Sequence, residues 1–346
     1  MRRRLEGLSI DALIIFSLEN VRYLSGFTGS EGTVIISGDD GYFLTDSRYT
    51  TQAGDEVSGL KIYTFKKKMD GIKEVVGAKI RRMGFEASAL PFGIYEDLSS
   101  ALPRVELVPI RQELDTIRMV KDGEEIECIR EAVKIASQAF LDILDEIKPG
   151  RQEREVAYEL EYAMRKGGGE KLSFDVIIAS GWRAALPHGI ASHKRIERGE
   201  LVVVDFGTRY KGYYGDETQT VAVGSVDDKQ KEIFNIVKEA QARAIEAVRP
   251  GISMKDIDAA ARDFIAEAGY SEYFGHGTGH GIGLAVHEPP RVAPNQEILA
   301  EEGMVFSIEP GIYLPGWGGV RLEDLVLVTR DGCQVLSPLP KELRVL

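Results

Sequence analysis

Cysteine is nearly absent: the 346 residues contain only Cys128 and Cys333. Two thiols make no disulfide framework, so a reducing, cytoplasmic setting is expected. Long apolar runs are missing too. Stretches such as Ala12 to Phe16 fall far short of the roughly 20 residues that span a bilayer. Arg2 to Arg4 imitate a signal n-region, but Asp11 and Glu19 bracket an apolar stretch too short for an h-region. Positive charge is in deficit, with 43 Lys and Arg against 55 Asp and Glu, a net −12. Lys66 to Lys68 is the one basic run besides the start, which disfavours a nucleic-acid partner. What is present, 43% hydrophobic and 28% charged residues, suits a globular chain of two domains with a substantial core.

The fold class expected is α+β. Asp11 to Phe16, Gly32 to Ile36, Gly41 to Leu44 and Met83 to Glu86 read as strands, and Ile72 to Arg82 as a helix. This first part is a small α/β domain. Its Gly-rich segment 26–32 has no Gly-Lys-Ser/Thr ending and opens no helix, so it is not a phosphate loop. The boundary is expected near residues 115–121, giving domains 1–118 and 119–346. Beyond it, Asp122 and Glu125 resemble a capping box for a long amphipathic helix that Pro149-Gly150 stops. A second helix covers about Glu153 to Lys166. The pattern returns with a helix opened by Asp227 and stopped by Pro250-Gly251, then one capped by Ser253 and ending at Gly269. Ile147-Lys148-Pro149-Gly150 and Val248-Arg249-Pro250-Gly251 are the same punctuation, 101 residues apart. The reading is an internal duplication of helix, helix and antiparallel strands.

The chemistry is concentrated in carboxylates and histidines. Asp205 interrupts the apolar strand Leu201 to Phe206, where an unpaired acid is costly. A turn centred on Tyr210-Lys211 would set Asp205 opposite Asp216, their Cβ atoms about 5 Å apart. Around Gly316, Glu309 and Glu323 are equidistant and face each other likewise. Each half therefore offers a hairpin with two acids. Four carboxylates match the charge of two divalent ions, the balance a two-metal hydrolytic site requires.

Of five histidines, His276, His280 and His287 fall within twelve residues. The alternating glycines there preclude a stable helix, so His276 and His280 point to one face of extended chain. One imidazole beside four carboxylates suits Mn, Co, Fe or Zn better than Ca or Mg. His188 precedes His287 by 99 residues, close to the duplication offset. Arg321 shares the face of Glu323 and could orient a ligand carboxylate. Asp324 points to the other face.

The ordered set Leu186-Pro187-His188-Gly189, Val204-Asp205-Phe206-Gly207, Asp216-Glu217-Thr218, Gly275 to Gly281, Val286-His287-Glu288, Ile308-Glu309-Pro310-Gly311 and Arg321-Leu322-Glu323-Asp324 resembles the "pita-bread" metallopeptidase family, and within it the aminopeptidase P and prolidase group. Asn20 to Gly32 and Thr45 to Tyr49 resemble that group's N-terminal domain. The resemblance implies Asp205, Asp216, His280, Glu309 and Glu323 as ligands of two metal ions, Mn or Co ahead of Zn or Fe, with Asp216 and Glu323 bridging. It implies Glu309 as general base and His188 and His287 as catalytic donors. His276 and Arg321 would belong to the substrate-binding side, and Arg291 could take the free carboxylate of a dipeptide. It further implies a homodimer. One departure stands out: after Asp216 such proteins usually read Ile-Thr-Arg, and here Glu217-Thr218-Gln219 follows.

The expected function is cleavage of Xaa-Pro bonds at peptide N-termini, of the aminopeptidase P type, on substrates with proline second. The alternatives are an Xaa-Pro dipeptidase acting on dipeptides only and, more distantly, a non-catalytic binding module on the same fold.

Overall fold

The computed structural model describes residues 2–38, 40–111 and 114–346, with side chains from Leu5 onward. The side chains of Arg2 to Arg4, read above against a signal n-region, lie outside the described residues. The chain divides into two compact units, Met1–Arg118 and Met119–Leu346. Among the described residues no helix is long and apolar enough to cross a membrane.

The first unit is built on a six-stranded mixed sheet. In chain order its strands are β1 (Ala12–Ile15), β2 (Thr33–Ser37), β3 (Gly41–Asp46), β4 (Lys61–Phe65), β5 (Arg82–Glu86) and β6 (Glu106–Ile110), arranged β4-β3-β2-β1-β5-β6. The helix expected over Ile72 to Arg82 lies earlier, at Lys68–Val76. Gly77 ends it at φ +60°, a conformation glycine adopts without the Cβ penalty. Buried Glu86 closes the unit from within. Its carboxylate accepts the backbone N–H groups of Phe16 and Ser17 at 2.6 and 2.9 Å and the Asn20 amide at 2.7 Å.

The second unit shows the duplication directly. Helices Gly123–Asp142 and Glu153–Lys166 are followed by β7 (Ile177–Ser180), β8 (Leu201–Phe206), β9 (Arg209–Tyr210), β10 (Tyr213–Tyr214) and β11 (Glu217–Ala222). Helices Asp228–Ala247 and Met254–Glu267 are followed by β12 (Gly279–Gly281), β13 (Glu288–Val292), β14 (Val305–Ile308), β15 (Gly311–Leu314), β16 (Gly318–Arg321), β17 (Asp324–Val328) and β18 (Cys333–Val335). The helix pairs are 20 and 14 residues long in both halves. Asp122 with Glu125 and Asp227 with Gln230 form matching capping boxes. The first long helix stops at Asp142, short of Pro149, because a 3₁₀ turn at Leu144–Glu146 intervenes.

Each half packs helices on its own strands, and a shared core joins Ile129 and Val133 of the first half to Ile282, Val305 and Leu325 of the second. One core packs Phe140, Val156 and Leu160 on Val202, Val204 and Phe206. The other packs Ile233, Val237 and Ile257 on Phe306, Ile308 and Val320. The half-sheets, ordered β11-β8-β7 and β13-β12-β14-β17-β18, meet along β11. Glu323 N–H donates to Thr218 O at 3.1 Å, and the Thr220 hydroxyl donates to Arg321 O at 2.8 Å.

Candidate metal centre

The seam between the half-sheets decides which acids meet. On β8 and β11, Asp205 stands opposite Thr218 and Phe206 opposite Glu217. The turn is at Lys211-Gly212, with φ of 45° and 84°, one position later than expected. Asp205 and Asp216 are therefore diagonal rather than directly paired, and they keep a common face because a shift of two residues preserves side-chain direction. In the second hairpin Ile308 pairs with Asp324 and Gly311 with Arg321, so Glu309 and Glu323 lie across from each other between the two ladders, as the spacing required.

Glycines allow the close approach that the site needs. A Cβ on Gly279 would lie 1.8 Å from Ser307 O, and one on Gly207 would lie 2.1 Å from Gly215 O. Asp258, on the helix Met254–Glu267, fixes the histidine segment by accepting Thr278 N–H at 3.1 Å and its hydroxyl at 2.7 Å. Glu309 N–H donates to Thr278 O at 2.7 Å, which joins that segment to the second acid hairpin.

Ligand atoms of Asp216, His280 and Glu323 all lie within 4.8 Å of one another. His280 Nε2 is 3.7 Å from Asp216 Oδ2 and 3.4 Å from Glu309 Oε1. Its Nδ1 donates to Gly281 O at 3.1 Å, leaving Nε2 with a lone pair aimed at the acids. Burial pushes the His280 pKa down, which keeps the ring neutral and able to ligate.

The acids are strained electrostatically. Burial, then the charges of Glu323 and Asp205, hold the Asp216 carboxyl well above its ordinary range. Burial, then Glu309 and Asp205, do the same for Glu323. Glu309 is raised chiefly by burial, with His276 and Arg321 opposing. Asp205 Oδ1, Asp216 Oδ1 and Glu323 Oε1 are buried with no hydrogen-bond partner. Orphaned anionic oxygens beside a neutral imidazole are the donor set of a divalent cation with mixed oxygen and nitrogen ligands. The residues fit a metal.

Arg321 is the cation nearest these acids. Only 3% exposed, it donates from Nη2 to Asp205 Oδ2 at 2.5 Å, from Nε to Thr218 Oγ1 at 3.2 Å, and from Nη1 to Tyr313 Oη and Pro187 O at 3.1 and 3.0 Å. All three nitrogens are engaged by protein, and the guanidinium lies against Asp205 and Thr218. The Thr218 hydroxyl in turn donates to Glu323 Oε2 at 2.7 Å.

His287, His188 and His276 are the other histidines expected at the site. His287 is exposed, its ring centroid 4.2 Å from that of His280. Partial desolvation, then His280, push its pKa down to about 4. His188 is exposed in the loop after Gly181–Ala185. His276 is close enough to Glu309 for the two to influence each other's charge, its Nε2 is 2.9 Å from Tyr313 Oη, and burial lowers its pKa. Arg291 pairs with His280 across β12 and β13 and is exposed.

Sequence reasoning gave no role to Tyr313, Ser307 or Asp258. Tyr313 had a signal, since it shares the two-residue period of Glu309 and Gly311. Asp258 had only its helical spacing to Arg262, a pattern too common to single out.

A family model described as metallopeptidase family M24 matches residues 127–330, and one for the creatinase/prolidase N-terminal domain matches residues 1–120. The chain belongs to metallopeptidase family M24. It is 45% identical over 337 residues to an Xaa-Pro dipeptidase of Pyrococcus horikoshii, covering 97% of this chain and 95% of the relative. It matches the structure of an Xaa-Pro dipeptidase from Bacillus anthracis with a TM-score of 0.98 at 44% identity, covering 100% of this chain and 98% of that one. It also matches an X-Pro aminopeptidase structure from Thermotoga maritima with a TM-score of 0.91 at 42% identity, covering 99% and 100%. Family members are dinuclear metal enzymes, and this chain is a metallo-exopeptidase of that family with the pita-bread fold. The relatives favour the dipeptidase over the aminopeptidase P reading put first from sequence.

Proposed function

We propose that the protein hydrolyses Xaa-Pro dipeptides at a dinuclear centre held by Asp205, Asp216, His280, Glu309 and Glu323. The carrying observation is the convergence of orphaned buried carboxylate oxygens on neutral His280. Two divalent cations bound there, manganese or cobalt ahead of zinc or iron, would supply Lewis-acid polarisation of the scissile carbonyl.

The chain's own residues do the rest. Glu309, its carboxyl raised by burial, holds and releases a proton at Oε1 or Oε2. His287 is neutral at physiological pH and presents one N–H to the oxygen that gains charge in the transition state, with His188 beside it. His276, tied to Tyr313, lines the substrate side. Arg291, exposed across from His280, pairs with a dipeptide's terminal carboxylate, which a longer peptide lacks at that position. Proline second in the substrate fits because the Xaa-Pro amide has no N–H. A cytoplasmic homodimer, with 1–118 as its creatinase/prolidase-like domain and 119–346 catalytic, completes the reading. Cys128 and Cys333, which form no disulfide, support the compartment.

The test is a substrate-length series after chelation and Mn or Co add-back. Metal-dependent cleavage of Xaa-Pro that falls sharply for Xaa-Pro-Yaa is expected. Equal or faster tripeptide cleavage would restore the aminopeptidase P reading. No metal uptake and no cleavage by a folded protein would leave a binding module.

A further inference from the structure

We propose that Lys341 is a positioning residue of the metal centre, acting from behind the sheet as the countercharge that sets the spacing of its two half-sites. The inference rests on the metal-centre reading above. Lys341 Nζ lies 3.0 Å from Glu217 Oε1 and 2.8 Å from Asp324 Oδ1, with all three side chains less than a tenth exposed. Glu217 follows Asp216 at the start of β11, and Asp324 follows Glu323 at the start of β17. One ammonium therefore ties the strand carrying a ligand from the first half to the strand carrying a ligand from the second. Alternation sends Glu217 and Asp324 to the face opposite the ligands, so Lys341 touches neither substrate nor metal ligand.

Neighbouring donors flank both carboxyls. Glu217 Oε2 accepts the Ser137 hydroxyl at 2.5 Å, its Oε1 also accepts the Gln219 amide at 2.8 Å, and Asp324 Oδ2 accepts the Gln241 amide at 3.1 Å. Segment 337–346 delivers the lysine by pairing with the β11 edge, through Ala222 N–H to Arg344 O and Leu346 N–H to Ala222 O, both at 2.9 Å. Without it, two buried carboxyls would face each other across the seam with no cation between them, and the ion-pair link from β11 to β17 would be gone. That link keeps Asp216 beside Glu323.

Gln219 Nε2 and Lys341 Nζ share one acceptor, Glu217 Oε1. A guanidinium at position 219 can therefore take over the charge. The experiment compares wild type, Lys341→Met and Lys341→Met/Gln219→Arg, each stripped with chelator. Mn²⁺ binding is read by calorimetry, and kcat and KM are read on an Xaa-Pro dipeptide. Lys341→Met is expected to weaken Mn²⁺ binding ten- to a hundredfold, in the range of other residues that orient ligands. At saturating Mn²⁺ its KM stays within twofold of wild type. The double variant is expected to recover at least half of the lost affinity on a logarithmic scale. Unchanged Mn²⁺ affinity in Lys341→Met, or a double variant no better than the single one, folded or not, overturns the role of Lys341. Wild type that takes up no Mn²⁺ overturns the metal-centre reading instead.

Discussion

Thr218→Val tests the chain of contacts that aims Glu323. The hydroxyl is fully buried, donates to Glu323 Oε2 at 2.7 Å and accepts from Arg321 Nε at 3.2 Å. Valine has the same shape, so packing on β11 is retained and the polar link alone is lost. The other Glu323 oxygen already has no partner, so the carboxylate would be left without a fixed orientation. A hydrogen bond to a charged group contributes about 1.5–3 kcal/mol. At about 1.4 kcal/mol per factor of ten, the expected result is metal binding weakened roughly ten- to a hundredfold. Titration calorimetry of chelator-stripped protein with Mn²⁺ reads this directly, with circular dichroism confirming the fold. A folded Thr218→Val protein whose affinity stays within twofold of wild type would refute the argument that Thr218 orients a ligand.

The metal-free protein should respond to pH in the reverse of the usual carboxylate sense. Asp216, Glu323 and Glu309 have pKa values raised in the fold, so the native state binds more protons than the unfolded one above the ordinary carboxylate range. Its stability then falls as pH rises through the folded values, by about 1.4 kcal/mol per pH unit for each extra proton; melting at pH 7.5 no lower than at pH 5.5 would contradict this. Gly279→Ala forces a Cβ to within 1.8 Å of Ser307 O, so it should destabilise by at least the ~1–3 kcal/mol typical of overpacking and abolish metal uptake; a variant with wild-type melting and metal content would show that β12 and β14 can separate freely. Arg291→Ala should reduce kcat/KM on Xaa-Pro much more than on a tripeptide, and equal losses would remove the carboxylate role.

The site was legible because its chemistry is local. Asp205 within an apolar strand, the hairpin spacing around Gly316 and the Gly-His alternation each carry information within a few residues. The first hairpin was misplaced by one position because Lys211 takes a left-handed turn conformation that lysine seldom adopts, and nothing in Tyr-Lys-Gly-Tyr fixed which pair would turn. The helix at Lys68–Val76 was set too late because apolar periodicity continued past Gly77, whose conformation overrode it. Lys341 was invisible because Glu217 lies 124 residues away, and the role of Asp258 because Thr278, which it holds, lies 20 residues away. Long-range contacts leave no periodic trace. Arg321 was recognisable as an orienting group, but only the fold revealed the four protein acceptors that its guanidinium meets.

The meeting of the two halves along β11 makes catalytic competence a property of their alignment as well as of their cores. A slide of one half against the other by a fraction of an ångström would misplace ligands while every helix stayed buried. Mild denaturant, or a lesion at the join, should therefore silence the enzyme well before ellipticity changes, and turnover becomes the more sensitive gauge of that join.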